Sequence, residues 1–543
     1  MRFHEAAALE AALEALVNGR RDLARLAHYG RSRAGRPLWC VELGMIDHPQ
    51  RDRLPALLVV AGLDGHHLVG TELVLDHARL LLEGYGREPA ITRLLDEHVL
   101  YLLPRANPDG AEAAFATPLR EVRGNLRPVD DDRDGRLDED APQDLNGDGV
   151  ITQMRWRDPA GTWIEDPEQQ RLLRPADSLK GERGIYKQGV EGVDRDGDGE
   201  CGEDGAGDVA PNRNFPHRWQ EFDGGAGRLP MDEPESLALG QFLFARPAIA
   251  LALVYGLHDN LAVDAKVDGG DGSGGPGAGG GGGFRQNRTM PGGILKDDGP
   301  LYGEVAARYR KLTGVTSKAL LDADDGAFVP FSYFQFGVPT FAAHVWSPPL
   351  DVKAPDAPKD AKAPEGGEAK LLAWNDHAMG GSAFVPWTRV PHPTLGEVEV
   401  GGWRPGVRSN PPLAEVAELA RKHGDFLVEL GSLFAQLAIG EPKVEPLGGD
   451  LFRVTATVVN DGWLPSLSAM GERNRRPRAA RLDLDLGSAK LLQGQVRHAW
   501  PRIEGGGGRR EVKWLLQAEP GTEVLLRLWS ERAGDDERAV VLQ

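Results

Sequence analysis

Asp64 and His67 follow an apolar run in "LLVVAGLDGHHLVGTEL", residues 57 to 73, and both are side-chain types that bind metals. His258 ends a second apolar run in "VYGLHDN", and His344 a third in "FAAHVW". Between them, "APNRNFPHRW" sets Asn212 beside Arg213, whose guanidinium can take an anion. One carboxylate and two imidazoles make a sensible zinc set with a position left for water. A small shift of the first loop would exchange His66 for His67. The plainer alternative is a set of hydrogen-bonded polar residues where strands meet loops. What lifts the metal reading is that all of these histidines and Asp64 stand at strand ends, where open α/β sheets bind their ligands.

Something must hold those ends together. "GRPLWCVELG", "ALLVVAGL", "HVLYLLPRANPDG", "AIALALVYGLH" and "GVPTFAAHVW" read as strands, with "TELVLDHARLLLEGY" as a helix among them. Short apolar strands alternating with helices predict an α/β domain with a central mixed or parallel sheet. The long amphipathic segment "PPLAEVAELARKHGDFLVELGSLFAQLA" closes that domain near residue 437, giving a first domain over 1–437. Three stretches interrupt it: an acidic insertion over 126–210, a Gly-rich loop over 268–283 and a Pro/Ala/Lys loop over 351–370. From residue 441 the texture changes to short alternating strands such as "LFRVTATVVND" and "TEVLLRLWSE". These predict a small β-sandwich over 441–543 with no chemistry of its own.

Composition narrows the function classes. A net charge of −19 argues against a nucleic-acid partner. No apolar run reaches the roughly 18–20 residues of a membrane span. Two cysteines, Cys40 and Cys201, make no disulfide framework, and the charged N-terminal helix does not read as a signal peptide. The expectation is a cytoplasmic protein. Much of the negative charge is local, in "DDDRDGRLDED", "DLNGDGVIT" and "DRDGDGECGED". Each places oxygen side chains at positions 1, 3 and 5 with Gly at 6, as calcium loops do. The candidate calcium ligands are Asp130, Asp132 and Asp134; Asp144, Asn146, Asp148 and Thr152; and Asp194, Asp196 and Asp198. All three loops lack the closing Glu at position 12, and solvated Asp-Gly turns are the competing reading.

From "YGRSRAGRPLWCVELG" through "NPDG", "NRNFPHRW", "EPES" and "GVPTFAAHVW", residues 10 to 437 resemble the zinc carboxypeptidases of the M14 type. The resemblance implies an α/β fold with zinc at the strand ends. The family pattern Gly-x-His-Gly-x-Glu aligns with "GLDGHHLVGTE", which puts Asp64 at its His and His67 at its Glu. The third family ligand falls on His258, and the general-base Glu on His344. Two imidazoles and one carboxylate are therefore kept in a changed order. His344 then serves either as base or as fourth ligand. Glu397 and Glu399 are alternative carboxylates, though they read as ordinary strand or turn residues. Asn212 and Arg213 match the pair that holds a substrate's terminal carboxylate, and Arg123 the residue that stabilises the oxyanion. The family's tyrosine upstream of the last motif has no counterpart in "SKALLDADDGAF", and Tyr333 reads as core. Two functions follow. One is a zinc-dependent peptidase cleaving a peptide or amide bond beside a free carboxylate. The other is an inactive relative that binds peptide C-termini or a protein partner.

Overall fold

Residues Ala56–Ala61 are apolar at every position because they form an interior strand covered on both faces. In the computed structural model, residues 3–130, 135–138, 140–195, 197, 199–202, 205, 207, 209–221, 223–268, 292–321, 325–352 and 366–543 are described. Among them, β1 (Ala24–Arg31), β2 (Pro37–Leu43), β3 (Ala56–Ala61), β4 (Val99–Leu103), β5 (Ile249–Tyr255) and β6 (Thr340–Ala343) make one sheet in the order β1-β2-β4-β3-β5-β6. β1, β2 and β4 pair antiparallel, whereas β4, β3, β5 and β6 run parallel. The sheet is the mixed α/β sheet that the sequence predicts.

Alternate side chains of β3 go to opposite cores, as the two-residue period of a strand requires. Leu57, Val59 and Ala61 join Leu73 and Leu81 of α2 (Val69–Gly84), Tyr309 of α3 (Gly299–Thr313) and Leu427 of α5 (Leu413–Gly431). Leu58 and Val60 join Phe215, Phe242 and Phe331, the last from α4 (Phe328–Phe336). α5 buries Val416, Ala420, His423, Leu427 and Leu430, the three-and-four spacing of a helix with one apolar face. Among the described residues, no helix is long and apolar enough to cross a membrane.

The acidic insertion proves more structured than an interruption. Its strands Gln153–Arg157, Trp163–Glu165, Leu173–Pro175 and Tyr186–Val190 join Phe384–His392 and Gly396–Trp403 in a second sheet. Glu399 pairs there with Arg155 at 2.7 Å and Glu397 with Arg389 at 3.4 Å, so neither stands in as a site carboxylate. Residues 269–283 of the Gly-rich loop and 353–365 of the Pro/Ala/Lys loop lie outside the described residues.

Beyond Leu437 two antiparallel sheets share a core of Phe452, Val454, Trp514 and Leu516 from one and Leu482, Leu526 and Leu528 from the other. Arg532 fastens this unit to the first. Its Nε donates to Pro247 O at 3.1 Å, Nη1 to Gly337 O at 2.9 Å and Nη2 to Phe336 O at 3.0 Å. Burial pulls its pKa down to about 10. Arg532→Met should cost about 3 kcal/mol in urea unfolding, because the three carbonyls lose a charged donor. Arg532→Lys should recover only part, since an ammonium cannot reproduce the planar fork.

Candidate functional site

The loop from Gly62 to Leu68 is shaped by close backbone approach. A Cβ at Gly65 would lie 2.6 Å from Gly110 Cα and 2.7 Å from Val122 O, so this position accepts only glycine. Asn107, from "NPDG", donates through Nδ2 to Arg123 O at 3.0 Å and Gly124 O at 2.9 Å, fixing the segment that carries Arg123. α2 has no cap of its own at Leu68. Asn410 supplies one: its Oδ1 accepts from Leu68 N at 2.8 Å and Val69 N at 3.0 Å, while Nδ2 donates to His66 O at 2.7 Å.

The sheet register aligns the expected ligands. Ala61 of β3 pairs with Tyr255 of β5, so Asp64 and His258 both stand three residues beyond the same rung. Ala343 of β6 pairs with Tyr255 too, and His344 follows it directly. Position is therefore as expected, but the side chains are engaged otherwise. Asp64 is fully buried, and its Oδ1 accepts from Arg123 Nε at 2.8 Å. Its Oδ2 accepts from Asn212 Nδ2 at 2.9 Å. Burial, the largest single influence, pushes the Asp64 carboxyl up. The charges of Arg123 and His66 and the hydrogen bonds from Arg123 and Asn212 together outweigh it, leaving the pKa below the ordinary value.

His67 and His344 are tied together. His67 Nε2 lies 3.3 Å from His344 O, and burial holds its pKa down to about 4, so the ring is neutral. His344 Nδ1 meets Asp259 Oδ2 at 2.5 Å, which turns Nε2 toward the buried interior, where it has no hydrogen-bond partner. Among the described residues, no three His, Cys, Asp or Glu are gathered so as to hold a metal. Two imidazoles and a carboxylate suit zinc chemically, yet both Asp64 oxygens already accept from cationic or amide N–H groups. Asp64, His67 and His258 as arranged do not fit the ion.

The expected substrate-binding groups are partnered as well. Arg123 donates through Nε to Asp64 at 2.8 Å, with its side chain 29% exposed. Asn212 Oδ1 accepts from Phe328 N at 3.1 Å, so both ends of its amide serve the fold. Arg213 donates to Gly224 O and pairs through Nη2 with Asp223 at 2.7 Å. Tyr333, expected in the core, is buried in α4 and donates to Asp298 at 2.7 Å.

At the acidic loop 144–152, Asp144 accepts from the backbone N–H of Gly147 at 2.7 Å and of Gly149 at 2.8 Å. Asn146 donates to Asp148 at 3.1 Å, and Thr152 donates its N–H to Glu191 at 2.9 Å. These are the bonds of a self-satisfied Asp-Gly turn. Asp194 accepts likewise from Gly197 N at 2.6 Å. Asp130 is described but Asp132, Asp134, Asp196 and Asp198 lie outside the described residues. Sequence reasoning passed over Asp259, although it stands directly after His258, and Asn410, whose "SNPP" setting marks a helix start.

A zinc carboxypeptidase family model matches residues 9–238, and a domain of unknown function matches residues 436–541. Mouse carboxypeptidase M is 33% identical over 112 residues, 21% of this chain and 25% of that protein. A zinc carboxypeptidase of Saccharothrix mutabilis subsp. capreolus is 31% identical over 118 residues, 21% of this chain and 27% of that protein. The chain thus spans about a quarter of the length of these two relatives. The crystal structure of carboxypeptidase A from Helicoverpa armigera covers 70% of this chain and is itself covered to 75%, at 13% identity and a TM-score of 0.38.

Proposed function

We propose that this chain, whose residues 9–238 match the M14 zinc carboxypeptidase family model, binds ligands with a free carboxylate, a peptide C-terminus or an acyl-amino acid, without zinc. The observation that carries this is the closure of Asp64 by Arg123 and Asn212, which supplies a cation at the family's metal position from the protein itself. Arg213 is the group offered to the ligand. Its partner Asp223 is 43% exposed, so a ligand carboxylate can reach Arg213 from the solvent side and replace it. The Asp64 pair is buried and stays closed.

A second reading, zinc-dependent release of a C-terminal residue, is favoured by the homology, which supports a metallocarboxypeptidase-like hydrolase. One experiment separates the two. Metal content of the purified chain is measured, and peptides and acyl-amino acids are titrated with and without chelator. The expected result is no stoichiometric zinc, binding indifferent to chelator, and about 10–100-fold weaker binding in Arg213→Ala, the worth of one charged hydrogen-bonded contact. One zinc per chain with chelator-sensitive release of the terminal residue would establish the second reading instead.

A further inference from the structure

The loop that carries Asp64 also walls a groove of about 480 Å³, within the size range of small-molecule sites. Leu68, Leu119, Val122, Trp374, Met379 and Leu413 make most of its surface apolar. His66 lines it at 5% exposure, and neither of its ring nitrogens has a hydrogen-bond partner. An imidazole withdrawn from water with both nitrogens unmatched is destabilised, which a polar ligand atom in the groove would relieve. The other polar groups on the wall divide into two kinds. Asn410 is engaged in capping α2, and Glu121 accepts from Gly406 N at 2.6 Å. Arg404 also lines the groove with its side chain exposed, and the one carboxylate there is already engaged by the Gly406 N–H.

We propose that this groove is a second binding site, for a small amphipathic carboxylate. The apolar body of the ligand packs on Trp374 and Met379, and its carboxylate faces Arg404 and accepts from the His66 ring N–H. An amine would meet like charge at Arg404, and a neutral alcohol would leave that guanidinium unmatched. The site is independent of the carboxylate exchange at Arg213.

The test titrates the full chain carrying Arg213→Ala, which removes the carboxylate exchange at the first site, calorimetrically with 4-phenylbutyrate, 4-phenylbutanol and 4-phenylbutylamine. The acid should bind saturably to one site, at least tenfold tighter than the alcohol, and the amine should not bind. In that background Arg404→Glu, at an exposed position, and Met379→Asp should each weaken the acid at least tenfold. Equal binding of all three compounds, or indifference to both Arg404→Glu and Met379→Asp in protein of unchanged circular dichroism, overturns the proposal. So does the absence of saturable binding by the acid. Because Arg213→Ala reports on the first site and Arg404→Glu on the groove, failure of one reading is separable from failure of the other.

Discussion

Replacing Arg123 by methionine should lower stability by about 3–5 kcal/mol, because it leaves the Asp64 carboxylate buried and uncompensated. The side chain of Asp64 is wholly shielded from water while that of Arg123 is 29% exposed, so the cost falls on the aspartate. Asn212 remains as a donor to Oδ2, but one amide cannot offset a full charge away from water. Adding Asp64→Asn to Arg123→Met removes the stranded charge and should recover at least half of the loss. Urea unfolding of the three proteins measures this. A loss under 1 kcal/mol for Arg123→Met would mean that water reaches Asp64 and that the pair does not serve as the local cation site.

Stability should also fall steeply as pH drops from about 6.5 toward 4. Burial, the first cause in each case, holds His77 down to about 3 and His98 and His423 down to about 4. His77 Nε2 meets Tyr255 OH at 2.9 Å and His423 Nε2 meets Tyr309 OH at 3.0 Å, so both rings sit in the core between the sheet and its helices. His98 stacks on Phe434 with ring centres 4.2 Å apart. The unfolded chain takes up a proton on each ring near pH 6.5, and the folded chain does not until the depressed value is reached. Stability from these rings is therefore complete above about 6.5 and is lost as pH falls to the folded pKa. Each ring contributes a slope of up to about 1.4 kcal/mol per pH unit. Three together approach the whole stability of an ordinary domain, about 5–15 kcal/mol. Asp64, with its pKa lowered, adds a separate loss only below its ordinary value of 3.8. Unfolding midpoints across pH 4 to 7 test this, and His77→Phe should remove about one proton from the slope. A flat profile between 6.5 and 4.5 would refute it.

The sequence carried the placement of the site but not its connections. Apolar runs ending in Asp64, His258 and His344 were legible because interior strands must be continuous and their ends must be polar. The parallel register then puts those residues at one level, as expected. What stayed hidden is which acceptors are taken. Arg123 lies 59 residues from Asp64 and Asn212 lies 148 away, and residue types alone do not say that their N–H groups point at one carboxylate. The same limit applies to the acidic loop, where oxygen ligands at calcium spacing turn inward to their own backbone N–H groups. The insertion reads as polar connection because its strands are three to five residues long and only Gln153–Arg157 finds a partner beyond residue 384, in Gly396–Trp403.

The cap that Asn410 places on α2 also sets a timetable for synthesis. The loop beside Asp64 emerges early, yet the group that ties down His66 O comes 344 residues later. At about 5–20 residues per second a ribosome needs roughly 20–70 s to reach it. His67 waits nearly as long for the carbonyl of His344, 277 residues downstream. During that interval the sheet can form from β1 to β4 while the loop at its edge has no final conformation. The loop beside Asp64 is therefore completed only once Asn410 has emerged, and a product truncated before that residue would lack its cap.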